Sequence, residues 1–190
     1  MAIKKIFSFA ASIISLFILI FYFSVNSNAQ DNNSKLYSKD EGVLSIMYHR
    51  FNENKYPSTN IQMEIFKKQI DIIKKNNYEF YSPKEFDFEF DKPKLDKKIL
   101  ISIDDAFSSF YENAWPYLKE NKIPFILFVS TEAVGKYGYM NWSQIKEIEK
   151  EEFVFIGNHS HSHEYLVEYN FDKFKKDIDT SIKIFKKNIG

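Results

Sequence analysis

Ile99-Leu100-Ile101-Ser102-Ile103-Asp104-Asp105 is the stretch that decides the fold. Three isoleucines, a leucine and a serine make a nearly continuous apolar run of strand length, the pattern of a strand covered on both faces. It stops abruptly at two carboxylates. Working outward, similar runs occur at Val43–Tyr48, Phe125–Val129 and residues 153–156, with a brief candidate at 78–81 before the Ser82-Pro83 turn. Between them the apolar period becomes helical. Phe66, Ile70 and Ile73 share one face of a helix over residues 63–76. A helix is expected over 110–121, kinked or shortened by Pro116, and another over 142–150, capped by Asn141. The last begins near Asn170, with Phe171, Phe174, Ile178, Ile182 and Phe185 on one face and Gly190 at the position of a C-terminal cap.

Buried strands alternating with helices predict an α/β fold with a parallel sheet covered on both faces. In such folds the site lies at the carboxyl ends of the strands. Three polar clusters stand at those ends: Tyr48-His49, Asp104-Asp105 and the segment from His159 to His163. About five strands can be counted before Gly190 and no closing one follows. A closed barrel of this type takes about eight βα units, so the expectation is the N-terminal part of a longer barrel.

The composition narrows the function. With 44% apolar and 27% charged residues, the chain of 190 is globular in character. Cysteine is absent, which excludes disulfides, thiolate metal sites and a cysteine nucleophile. Lys+Arg and Asp+Glu balance at 26 each, so no basic excess points to nucleic acid. Arg50 is the one arginine, which leaves little scope for guanidinium clamps on phosphate.

Residues 1–29 read as an address. Lys4 and Lys5 precede an apolar run from Ile6 to Val25, and Ser27-Asn28-Ala29 supplies small residues for a signal peptidase. The run is also long enough to span a bilayer, so a cleaved signal peptide and a membrane anchor both stay open. Either places the domain outside the cytoplasm. Residues 30–41 are polar and aperiodic and read as a linker, leaving 42–190 as the folded domain.

Adjacent carboxylates after a buried strand are costly unless a cation or hydrogen bonds compensate them. One can hold a metal while its neighbour takes a proton from water; a plain helix start or turn is the competing reading. His159, His161 and His163 are three of the four histidines. On a helical turn His159 and His163 would share a face; in an extended segment all three would. Two imidazoles and a carboxylate make the ligand set of a catalytic zinc or similar divalent site.

Ser102-Ile103-Asp104-Asp105-Ala106, followed by His159-Ser160-His161-Ser162-His163, resembles the polysaccharide deacetylase family (the nodulation-protein-B homology domain, carbohydrate esterase family 4), with its Thr-Phe-Asp-Asp-Gly and His-Ser/Thr-x-x-His motifs. Met47-Tyr48-His49-Arg50 and Met140-Asn141-Trp142-Ser143-Gln144-Ile145 look like the branch acting on poly-N-acetylglucosamine. The resemblance runs from about Val43 to Gly190. It implies a distorted TIM-like (β/α) barrel and a hydrolase that removes acetyl groups from an exported N-acetylated polysaccharide. Asp105, His159 and His163 would hold a divalent metal, most simply Zn²⁺, with Co²⁺ or Ni²⁺ alternatives, and Asp104 would be the general base.

His161 falls at a variable position of the second motif. It, His49, Tyr137 and Tyr139 are expected at most to line the site, whereas Phe107, Phe110, Tyr111 and Trp115 are expected in the core. Ala106 replaces the family's glycine, a strain if the position needs φ > 0. The family's later motifs, including the one that carries its general acid, are not found before Gly190. Other readings are a deacetylase of peptidoglycan or another amide, and a non-catalytic module that binds glycan or metal. The partners expected are therefore a polysaccharide, no nucleic acid, and a membrane only through the N-terminal segment.

Overall fold

The computed structural model describes residues 43–85 and 97–190, all within one compact unit, Gly42–Gly190. The expected signal segment (residues 1–29) and the linker (residues 30–41) lie outside the described residues. Among the described residues no helix is long and apolar enough to cross a membrane.

The elements run β1 (Val43–Tyr48), β2 (Arg50–Phe51), β3 (Asn60–Ile61), α1 (Met63–Lys75), β4 (Glu79–Phe80), β5 (Lys98–Asp104), α2 (Trp115–Glu120), β6 (Phe125–Val129), α3 (Trp142–Glu149), β7 (Val154–Asn158) and α4 (Phe171–Asn188). The main sheet has the order β1-β5-β6-β7, every pairing parallel. β1 follows β5 along its length, from Val43 opposite Lys98 to Tyr48 opposite Ile103. The other edge of β5 is shared: β4 takes its start at Lys98 and Ile99, and β6 its end from Ser102 to Asp104. Because the strands are parallel, their carboxyl ends all lie along one edge of the sheet.

β5 is the core strand its sequence predicts: Ile99, Ile101 and Ile103 are buried, as are Phe125, Leu127 and Val129 of β6. Phe66, Ile70 and Ile73 of α1 cover this core together with Phe110, Trp115 and Leu118, while Ile145 and Ile148 of α3 complete it. The outer strands depart from the expectation of full cover. Leu44 and Met47 of β1 are 57% and 58% exposed, and Phe155 of β7 is 46% exposed.

The helix expected over 110–121 has two parts. A π-helical turn, Phe110–Ala114, precedes α2, and Trp115 N–H donates to the Phe110 carbonyl. Pro116 has no N–H to give to the preceding turn, so it sits in the first turn of α2, where none is required. α3 starts where Asn141 predicts. The Asn141 side chain accepts from Gln144 N–H at 3.0 Å and Gln144 Oε1 accepts from Asn141 N–H at 2.9 Å, a complete capping box.

In α4, Phe171, Phe174 and Ile182, expected together on one face of the helix, are 74%, 41% and 39% exposed. The buried residues of this helix are polar, Asp177 and Ser181. Phe185 alone of the aromatic stripe meets the domain firmly, its ring edge-on to Trp142 with centroids 5.8 Å apart. Gly190 adopts φ +103° just past the helix end, the conformation a glycine cap supplies.

Candidate metal centre

Asp104 is the last residue of β5, and the chain then turns sharply through two residues of positive φ, Asp105 at +72° and Ala106 at +55°. The turn is held from the loop before α3: Met140 N–H donates to the Ala106 carbonyl at 2.8 Å, and Ser108 N–H to the Gly138 carbonyl at 2.9 Å. Asp104 and Asp105 are both buried, and among the described residues neither Oδ1 accepts a hydrogen bond. Two neighbouring buried carboxylates, each with an oxygen that accepts no hydrogen bond, are an unstable arrangement unless positive charge meets them.

The second half of the site follows β7. His159 N–H donates to the Val129 carbonyl at 3.0 Å, and the His159 carbonyl accepts from Ser130 Oγ at 2.9 Å, tying this strand end to the end of β6. Beyond it the backbone is neither helical nor extended. Ser160 and His163 take positive φ values of +68° and +57°, and His163 N–H donates to Ser160 Oγ at 3.1 Å. The loop therefore separates the three histidines. His159 Nε2 lies 3.5 Å and His163 Nε2 3.0 Å from Asp105 Oδ1, and one ligand atom from each of the three residues falls within 4.8 Å of the others. His161 turns aside, its Nδ1 2.9 Å from Thr131 Oγ1.

Gly157 makes room for this arrangement. A Cβ there would stand 2.4 Å from Phe128 Cδ1, and the Phe128 ring packs beside His159 at 6.0 Å between centroids.

Asp104 stands next to this cluster, Oδ2 4.0 Å from His159 Nε2. Burial raises its pKa above the ordinary carboxylate value. The positive forms of His159 and His49 oppose that rise, Asp105 adds to it, and a hydrogen bond from Ser102 opposes it again. His49 follows directly after β1, on the same edge of the sheet as Asp104. Asp105 Oδ1, buried and accepting no hydrogen bond, and the two converging imidazole nitrogens fit a divalent transition metal in charge and donor chemistry.

Tyr137 is fully exposed, while Tyr139 is half-buried against Phe107, their ring centroids 4.8 Å apart. Both line a cavity of about 690 Å³ together with Arg50, Tyr56, Ser108 and Glu112. The Arg50 guanidinium lies 3.5 Å over the Phe107 ring and is paired with Glu53 at 3.1 Å. Phe110 and Trp115 are buried in the core, and Tyr111 donates to Glu147 at 2.6 Å.

Sequence reading missed Asp177. Its only signal was a polar pair, Asp177 and Ser181, four residues apart within the stripe that also holds Phe174, Ile178 and Phe185.

A family profile described as polysaccharide deacetylase matches residues 91–190, which include both carboxylates and the whole histidine loop. The chain belongs to the polysaccharide deacetylase family. Among relatives of this family, a poly-beta-1,6-N-acetyl-D-glucosamine N-deacetylase of Staphylococcus aureus (strain MSSA476) is 28% identical, the match covering 82% of this chain and 61% of that protein. The enzyme of that name in Staphylococcus epidermidis is 26% identical, covering 87% of this chain and 63% of that one. This chain therefore spans about three fifths of the length of these curated relatives. The solved structure of IcaB from Ammonifex degensii superimposes with a TM-score of 0.69 at 25% identity, over 80% of this chain and 71% of that one. The Streptococcus pyogenes deacetylase PplD in complex with acetate gives the same TM-score at 21% identity, over 80% and 70% of the two chains, and so shares the fold. The α/β barrel expected from the strand pattern is the architecture of this family.

Proposed function

We propose that this chain is a metal-dependent N-deacetylase that acts outside the cytoplasm on an N-acetylated polysaccharide of the poly-N-acetylglucosamine class. The observation that carries this reading is the convergence of Asp105 Oδ1, His159 Nε2 and His163 Nε2 beside Asp104 at the carboxyl edge of a parallel sheet. The names of its staphylococcal relatives supply the substrate class, and the segment Lys4 to Ala29 supports export.

Asp105, His159 and His163 would hold the metal, with Zn²⁺ the first choice and Co²⁺ or Ni²⁺ alternatives for this donor set. A divalent cation held there would supply Lewis-acid polarisation of the acetamide carbonyl and a lowered pKa for the attacking water. Asp104 takes the proton from that water. Its buried Oδ1 has no donor among the described residues, so a lone pair is available, and its raised pKa brings it toward the range of an effective base. His49, through its charge on Asp104, moderates that rise. The water oxygen bonds to the acetyl carbon as the C–N bond breaks, acetate leaves, and the proton that Asp104 removed is returned by way of solvent to the sugar nitrogen, which departs as an amine. The cavity bounded by Tyr56, Tyr137 and Tyr139 offers aromatic faces to sugar rings on one flank.

The test is acetate release from a β-1,6-linked N-acetylglucosamine oligomer by the zinc-loaded chain and its Asp104→Asn variant. The variant is expected to lose at least about 100-fold in rate while binding zinc as tightly as the parent. Undiminished release by Asp104→Asn would overturn the assignment of the base. Release unaffected by removing zinc would overturn the metal reading.

A further inference from the structure

We infer that Asp177 is a positioning residue of the metal centre, its buried carboxylate fixing the loop that aims His159 and His163 at Asp105. The inference rests on the reading of those three residues as metal ligands. Asp177 belongs to α4, a helix whose aromatic residues Phe171 and Phe174 are exposed, yet it is itself only 8% exposed. A carboxylate is buried in such a place only when its oxygens are engaged. Both are: Oδ1 accepts from His161 N–H at 2.8 Å and Oδ2 from Ser162 N–H at 3.0 Å. These donors are consecutive backbone groups, midway between the two histidine ligands.

The loop needs such a tie. Ser160 and His163 hold positive φ, which residues with a side chain keep only where the surroundings impose it. A second tie comes from the same helix. Ser181, fully buried, accepts from Asn158 Nδ2 at 2.9 Å, and Asn158 Oδ1 accepts from Ser160 N–H at 2.9 Å. On the opposite side Thr131 N–H donates to the Ser160 carbonyl at 3.2 Å and Glu132 N–H to the His161 carbonyl at 3.0 Å. The histidine loop is thus clamped between the end of β6 and the polar face of α4. Asp177 acts on the metal through this backbone, as groups behind the direct ligands do elsewhere, where their loss weakens metal affinity by about 10- to 100-fold.

The experiment compares the full chain with its Asp177→Ala, Asp177→Asn and Asp179→Ala variants. Asp179 lies on the same helix and pairs with Lys175, so it serves as the control. Co²⁺ is titrated into metal-free protein and followed by its visible absorption, and amide exchange at His161 and Ser162 is measured before any metal is added. Asp177→Ala is expected to weaken Co²⁺ binding by about 10- to 100-fold and to speed exchange at both amides. Asp177→Asn, which retains one acceptor, should fall between, and Asp179→Ala should match the parent. Parental affinity in both Asp177 variants would overturn the inference while leaving the ligand reading intact. Failure of the parent itself to bind Co²⁺ would overturn the ligand reading and the inference with it. Should Asp177→Ala not fold, Asp177→Asn and Ser181→Ala carry the same test, and parental affinity in both would again overturn it.

Discussion

Ala106 holds φ +55° immediately after Asp105 at +72°, so two side-chain-bearing residues in a row occupy a region that glycine enters freely. Replacing Ala106 by glycine relieves about 1–2 kcal/mol of backbone strain and removes a buried methyl worth about 0.8 kcal/mol. The expected result is a stabilisation of no more than about 1 kcal/mol, read from urea unfolding of the metal-free chain. A clear loss of stability would show that the methyl is a packing element of the turn. Gly157 has the opposite requirement, for its backbone is ordinary and its neighbour is not. A methyl there collides with the Phe128 ring, which packs beside His159. Gly157→Ala is expected to cost about 1–3 kcal/mol and to weaken Co²⁺ binding, because the ring moves toward the histidine. Unchanged unfolding and unchanged binding would mean that Phe128 swings clear into solvent.

The cap of α3 and the clamp on α4 are properties of elements, and they differ in how far the sequence shows them. Asn141 and Gln144 stand three apart ahead of an apolar stripe, a local signal, and the box they predict is present. Asn141→Ala should cost about 1 kcal/mol in thermal unfolding, and Gln144→Ala less. The strands β5 and β6 were legible for the same reason, since a continuous apolar run needs no partner to be recognised. β2 and β3 were not, because two-residue pairings are too short to carry a period. α4 was legible as a helix but not in its burial, since which stripe meets the domain depends on tertiary register. The paired aspartates and the histidine spacing marked the site, yet the left-handed residues that turn His161 away left no trace in composition. Asp177 carries a pH consequence. Burial alone would raise its pKa, but hydrogen bonds from the Ser162 hydroxyl and from the His161 and Ser162 N–H groups outweigh it, helped by the charge of His161, and the net shift is downward from 3.8. A carboxylate whose pKa is lower in the folded state stabilises that state above its unfolded value and loses the contribution as pH falls through the folded one. The stability gap between the parent and Asp177→Asn should therefore be full at neutral pH and shrink below pH 3.8; a gap independent of pH would deny the carboxylate its charge-dependent role.

Across the whole molecule, the site joins strands that are not neighbours. β5 supplies Asp104 and leads into Asp105, β7 leads into His159, and β6 lies between them, tied to the histidine loop through Ser130 and Thr131. A cation held by Asp105, His159 and His163 would cross-link these elements, and a ligand that binds only the folded chain stabilises it by mass action. At a free Zn²⁺ concentration 100 times its dissociation constant the gain is about 2.7 kcal/mol, which for a domain of this size raises Tm by about 5–10 °C. A chelator should reverse the rise completely. Asp105→Asn separates the two roles of the buried carboxylate. Without metal it removes one of two adjacent buried charges whose Oδ1 atoms accept no hydrogen bond among the described residues, so the variant should be as stable as the parent or more so. With zinc it should show almost none of the thermal shift, because the anionic ligand is gone. Asp104→Asn should keep the shift, since the role proposed for Asp104 lies with the proton and not with the metal. A zinc shift that survives Asp105→Asn but disappears in Asp104→Asn would exchange the parts assigned to the two carboxylates, and scanning calorimetry of the three proteins with and without zinc decides between them.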